Sequence, residues 1–91
     1  MTLDAASTPR LAPGVRLRFD AVRQAWGVLA PERLFLPDDE AVEILKLLDG
    51  VRTLSVIVDE LASRYAAPRE IISTDVTAML RDLAAKGAVR L

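Results

Sequence analysis

The chain has no cysteine and no histidine in its 91 residues. Without cysteine there is no disulfide framework, no thiol nucleophile and no soft metal ligand. Without histidine there is no side chain whose ordinary pKa suits proton transfer near neutral pH. Any catalytic constellation would rest on carboxylates, Ser, Lys, Arg or the single Tyr65. Glycines are scattered at Gly14, Gly27, Gly50 and Gly87, so no Gly-rich phosphate loop exists. No serine sits in a G-x-S-x-G turn. Purely apolar runs are a few residues long, too short to span a bilayer. No basic stretch precedes an apolar one at the N-terminus, so no signal peptide is read there and a cytoplasmic protein is expected. These absences argue against an enzyme, and no cofactor or metal is expected.

The 52% apolar content is too high for a disordered chain and sets one small folded domain as the expectation. Net charge is −1, which offers little electrostatic grip on nucleic acid. The charge is uneven. Residues 1–36 carry five Arg against three acids, whereas 37–65 carry seven acids against three bases.

Residues 1–10 are small and polar with no apolar period, and read as a flexible tail or a linker. After the turn signal Pro13-Gly14, Val15-Arg16-Leu17-Arg18-Phe19 alternates. That period of two predicts a strand with Val15, Leu17 and Phe19 toward a core. A mixed loop at 20–25 leads to a second strand over 26–30, where Trp26 reads as core filling. Pro31-Glu32 is a tight turn, and Arg33-Leu34-Phe35-Leu36 a third strand ended by Pro37. Short connections favour an antiparallel meander with this third strand at an edge. If Leu34 and Leu36 face the core, Phe35 with Arg33 points the other way; Phe35 reads either as an exposed peptide contact or as partly buried against the tail.

The period then lengthens to 3.6. Asp38-Asp39-Glu40 suits a helix start, with Asp38 as cap, and this accounts for the acid cluster better than a metal site does. Ala41, Ile44, Leu45 and Leu48 form one face before Gly50. Thr53 caps a second helix, whose stripe is Leu54, Ile57, Val58, Leu61, Ala62 and Tyr65; Asp59 and Glu60 lie on its solvated face. Pro68 opens a third helix with the stripe Ile72, Val76, Met79, Leu80 and Leu83. Gly87 ends it, and 88–91 reads as a short strand or a docked tail. The fold class expected is α+β: a winged helix-turn-helix-like domain, with a three-stranded antiparallel sheet followed by three helices.

That order raises a winged-helix DNA-binding regulator as the alternative. On the third helix, however, Arg69, Arg81 and Lys86 are balanced by Glu70, Asp75 and Asp82, too little to neutralise phosphates. The open edge also admits a weak homodimer beside a monomer.

The segments Leu11-Ala12-Pro13-Gly14-Val15-Arg16-Leu17, Leu29-Ala30-Pro31-Glu32-Arg33, Ile44-Leu45 with Asp49-Gly50, and Asp75-Val76 together resemble the PqqD family over roughly residues 10–91. The resemblance implies a peptide-recognition domain over 11–91 preceded by the tail or linker. It implies a non-catalytic partner in pyrroloquinoline quinone (PQQ) biosynthesis, a peptide chaperone or adaptor that binds the ribosomal precursor peptide PqqA. It also implies association with the radical-SAM enzyme PqqE; from the charge balance and the short apolar runs, no nucleic-acid or membrane partner is expected. In related recognition domains of ribosomally synthesised, modified peptides (RiPPs), the leader adds as a strand beside strand three and against the third helix. Carried over, this implies peptide-binding residues Arg33, Leu34, Phe35 and Leu36 on the strand, and Asp75, Val76, Met79, Asp82 and Leu83 on the helix. Val76, Met79 and Leu83 either line the groove or belong to the core.

Overall fold

The computed structural model describes residues 3–31 and 33–91. Along the chain run β1 (Arg10–Leu11), β2 (Arg16–Asp20), β3 (Ala25–Ala30), β4 (Arg33–Phe35), α1 (Asp39–Leu45), α2 (Leu54–Tyr65), α3 (Arg69–Ala85) and β5 (Val89–Arg90). Strands β2, β3 and β4 form the antiparallel meander, in that spatial order. Strand β1 pairs separately with β5 at the C-terminus. The three-stranded sheet and three helices bear out the α+β reading. The 88–91 segment takes the strand option.

The meander is built by local chemistry. Asp20 Oδ1 accepts the amides of Val22 and Arg23, at 3.0 and 3.1 Å, and so organises the 21–24 loop. The register Ala30↔Arg33 leaves only residues 31 and 32 between β3 and β4. Glu32, half of that expected turn, lies outside the described residues, as do Met1 and Thr2 of the expected tail. Gly14, at φ +80°, occupies the left-handed region its turn requires. A Cβ on it would stand 3.5 Å from Pro31 Cγ, so the Pro13-Gly14 and Ala30-Pro31 turns pack together.

The helix caps follow the sequence. Asp38 Oδ1 accepts from the Ala41 amide at 2.8 Å. Thr53 Oγ1 accepts from the Val56 amide at 3.2 Å. Helix α1 stops at Leu45, earlier than Gly50, yet Leu47 and Leu48 are still buried in the loop that follows. The core joins Val15 and Val28 of the meander region, Ile44 and Leu45, Ile57, Val58 and Leu61 of α2, Val76, Leu80 and Leu83 of α3, and Ala88 and Val89.

Four expectations are corrected. Residues 3–10 are packed down, not a tail: Leu3 is only 8% exposed, and Pro9 is among the fully buried side chains. Their carbonyls hold other elements in place. Ser7 O accepts the Leu54 amide at 2.8 Å, Ala5 O the Ser55 amide at 3.1 Å, and Pro9 O the Gly50 amide at 3.2 Å. The first two satisfy amides at the start of α2 that have no partner within the helix. Phe19 lies at the far end of β2, 44% exposed, and makes an edge-to-face pair with Trp26 at 5.4 Å instead of entering the core. Trp26 is half-buried under Lys46, whose Nζ sits 4.9 Å from the ring, and it stands outside the core cluster. Tyr65, placed on the α2 stripe, is 48% exposed at the helix end.

Asp59 and Glu60 are also more than solvated charges. Asp59 pairs with Arg69, which donates to Ser55 O and Oγ as well, tying the start of α3 to α2. Glu60 pairs with Arg64 and Arg52, and Arg64 reaches Glu43 of α1 at 2.9 Å.

Candidate functional site

The strand half of the site is built on β4, which has β3 on one side and no strand on the other among the described residues. Its register with β3 runs Val28↔Phe35, Leu29↔Leu34 and Ala30↔Arg33. Val28 is buried in the core, so Phe35 opposite it is on the helix side, half-buried against the core. Leu34 is on the outer side and 49% exposed; Leu36 is 70% exposed. Of the two options the sequence left open for Phe35, partial burial is the one observed, and Leu34 and Leu36 face outward. The stretch Arg33-Leu34-Phe35-Leu36 is apolar on both faces, so alternation alone does not say which face turns inward. The partner residue Val28 decides it. Arg33 is exposed and makes no ion pair among the described residues.

The helix half is built on α3. Val76 is 2% exposed and Leu83 is buried, so both belong to the core. Met79 is half-buried against that core, as Phe35 is. Asp75 and Asp82 are exposed, and Asp82 is tied to Lys86 at 2.9 Å. Strand β4 and α3 make no extensive contact with each other: β4 lies along β3, and α3 along α2 and β5. The two halves of the site therefore flank the same core without closing on each other. A strand edge free among the described residues is the geometry into which an extended peptide adds as a further strand, bonding through its backbone and placing alternate side chains inward.

Asp75 and Val76 line a groove of about 260 Å³, and its wall includes Ile44, Leu61, Tyr65 and Ile71. Ile71, which is 57% exposed, was not singled out from the sequence. Its signal was an apolar residue beside Ile72 but off the core stripe. A wider groove of about 460 Å³ lies at the sheet, lined by Leu29, Leu34 and Leu36 together with Phe19, Trp26 and Arg18.

Among the described residues no group of three or more acids is placed to hold a metal ion. Of the three cations on α3 and its C-cap, Arg69 and Lys86 are paired with Asp59 and Asp82. This leaves Arg81 alone to face a nucleic-acid phosphate, so the geometry does not support the DNA-binding alternative. One carboxylate is electrostatically distinct. The backbone amide of Arg52, then that of Val51, holds the Asp49 carboxyl below its ordinary pKa of 3.8, and the Arg52 guanidinium adds to this. Asp49 thereby organises the loop that receives the N-terminal segment, where Arg10 bridges Asp49. Among the described residues no helix is long and apolar enough to cross a membrane.

Comparison with known proteins agrees with this architecture. Residues 26–89 match the family described as coenzyme PQQ synthesis protein D (PqqD). A PqqA binding protein of Rhodopseudomonas palustris (strain BisB5) is 56% identical over 87 residues, covering 96% of this chain and 85% of the relative. A bifunctional coenzyme PQQ synthesis protein C/D of Methylorubrum extorquens is 51% identical over 81 residues, which is 89% of this chain and 22% of that longer one. The solution structure of the PqqD truncation of Methylobacterium extorquens PqqCD superposes with a TM-score of 0.83 at 46% identity, covering 99% of this chain and 96% of the other. That protein is described as a functional, stand-alone RiPP recognition element. With a free-edged three-stranded sheet on three helices, and relatives of this identity over nearly its whole length, the chain belongs to the PqqD family.

Proposed function

We propose that this protein is a non-catalytic peptide-binding adaptor of PQQ biosynthesis, acting in the cytoplasm. It binds the precursor peptide PqqA by strand addition and presents it to the radical-SAM enzyme PqqE. The observation that carries this reading is the outer edge of β4, unpaired among the described residues, beside the core that α3 also covers. The peptide pairs its backbone with Arg33–Phe35. Its inward side chains lie between Phe35 and the α3 residues Met79, Val76 and Leu83, and Asp75 and Asp82 flank them. Val76 and Leu83 shape the wall from within the core, and Met79 is the adaptable contact, since its side chain is unbranched and polarizable. Arg33 meets an acid of the peptide, an exposed pair worth about 0–1 kcal/mol.

The mechanism is positional. Holding a flexible substrate on a domain that also touches the enzyme raises the substrate's effective concentration at the active site. The adaptor supplies no proton, electron or ligand. The relatives named for PqqA binding support the peptide. The bifunctional relative supports close association with a synthesis enzyme.

The test is an amide-shift titration of labelled protein with synthetic PqqA. Shifts gathered at 33–36 and 71–83, and weakened binding in Phe35→Ala, are the expected result. Saturating peptide that moves no amide would overturn the adaptor reading. Shifts confined to other surfaces would keep the adaptor and discard the site.

A further inference from the structure

An antiparallel sheet with one face on the core ordinarily turns polar residues outward. Here the outward face departs from that. In register across the three strands lie Arg16, Leu29 and Leu34, and one step along lie Arg18 and Gly27. Leu34 is 49% exposed, and Leu36 beside it in the same groove is 70% exposed. Gly27 is what lets Leu34 lie flat: a Cβ at that position would stand 3.2 Å from Leu34 Cδ1. The result is an apolar strip across β3 and β4 with two arginines along its β2 side. Neither Arg16 nor Arg18 is paired with an acid among the described residues. Most of the chain's acids fall instead in residues 37–65, beyond the sheet. The strand Arg33-Leu34-Phe35-Leu36 thus has the two-sided apolar character of a strand covered on both faces, yet its Phe35 side packs on the core while Leu34 and Leu36 are exposed.

We infer that this outer face docks a protein surface that is acidic and carries an apolar projection, and that the enzyme receiving the bound peptide supplies it. The identity of the partner rests on the adaptor reading above. Charge complementarity selects the occupant: Leu29, Leu34 and Leu36 take the apolar projection, and Arg16 and Arg18 take the carboxylates. A second copy of the chain fits less well. Most of its acidic residues lie on or beside the helices, and Asp20, which lines this groove, is already paired with Arg23, so basic sheet on acidic helix would make a head-to-tail contact that does not close. The surface also borders the β4 edge, so an enzyme seated there reaches the edge at which the peptide is held.

The test uses the full chain and the double variant Arg16→Glu/Arg18→Glu, with purified PqqE and synthetic PqqA as probes. Both side chains are exposed, so the variant keeps the wild-type amide spectrum outside its neighbourhood. PqqE affinity is expected to fall about tenfold or more, mainly through slower association, while PqqA affinity stays within about twofold. In the wild type, PqqE is expected to broaden amides at 16–18, 27–29 and 34–36. Unchanged PqqE affinity in the variant would overturn the proposal. So would charge-sensitive binding of random duplex DNA at this face with PqqE binding intact. Wild-type protein that binds PqqE here but never binds PqqA would remove the adaptor reading and leave the docking surface standing.

Discussion

Ala66 ends α2 in the left-handed region, with φ 50° and ψ 40°. A Cβ there costs about 1–2 kcal/mol, and glycine at such a position carries no such penalty. Ala66→Gly is therefore expected to stabilise the fold by about 0.5–1 kcal/mol, measured as a higher denaturant midpoint at constant slope. Nothing in the sequence marks this position, because Ala66-Ala67 before Pro68 reads as ordinary helix ending. Asp49 is a second residue whose role is local. Its carboxyl is held below 3.8 by the Arg52 and Val51 amides, so its ionised form favours the folded state. That contribution is present above the ordinary value and is lost as pH falls through the lower folded value. Unfolding midpoints followed from about pH 6 down to about pH 2 should fall more steeply in the wild type than in Asp49→Asn, which keeps an acceptor but does not titrate. Parallel curves would show that the loop does not depend on the charge. The Asp49-Gly50 pair contributed to the family resemblance, and the structure gives it an architectural part: Gly50 turns at φ +75° with the Arg10 side chain 3.5 Å from where its Cβ would be.

Among the elements, the segment before β1 departs most from expectation. It has no period to read, because its stability comes from carbonyls aimed at α2 and at Gly50 and from two isolated apolar residues, Leu3 and Pro9. Such contacts are long-range and leave no trace in local spacing. Deleting residues 1–9 should lower the thermal midpoint, and Leu3→Ala alone should cost about 2 kcal/mol, the low end for a buried leucine. An unchanged midpoint in both would mean that the segment rests on the body without supporting it. The helices were the most legible elements, since Asp38 and Thr53 cap as their residue types require and, apart from Tyr65 at the end of α2, the α2 and α3 stripes are buried or half-buried as spaced. The strands were legible in position, but the facing of β4 was not. Alternation carries Val15, just before β2, and Leu17 within it inward as expected, whereas Phe19 lies near the strand's end and pairs with Trp26.

For the molecule as a whole, charge and apolar surface are divided between the two proposed contacts. The peptide edge depends on backbone pairing and on Phe35 and Met79, with single charges around it. The outer sheet face depends on Arg16 and Arg18, unpaired among the described residues, beside leucines. Exposed charges are screened beyond about 8 Å at physiological ionic strength. Raising salt from about 0.05 M to about 0.5 M should therefore slow association of PqqE severalfold and change PqqA affinity little, read by stopped-flow and calorimetry side by side. Equal salt dependence of both would contradict that division.

By itself the sequence determined the class of fold, the order of three strands and three helices, and the caps. Each of these is local, set by a period of two or 3.6 and by the residue at a helix end. The missing histidine and cysteine, together with the family segments, pointed to binding instead of chemistry. Only the tertiary structure decided which face of Arg33-Leu34-Phe35-Leu36 turns inward, that residues 3–10 brace α2, and that Val76 and Leu83 belong to the core. Those outcomes depend on partners far along the chain: Val28 across the sheet, the α2 amides above Ser7 and Ala5, and the shared core beneath α3. A strand apolar on both faces is equally satisfied either way up until a neighbour's burial selects one.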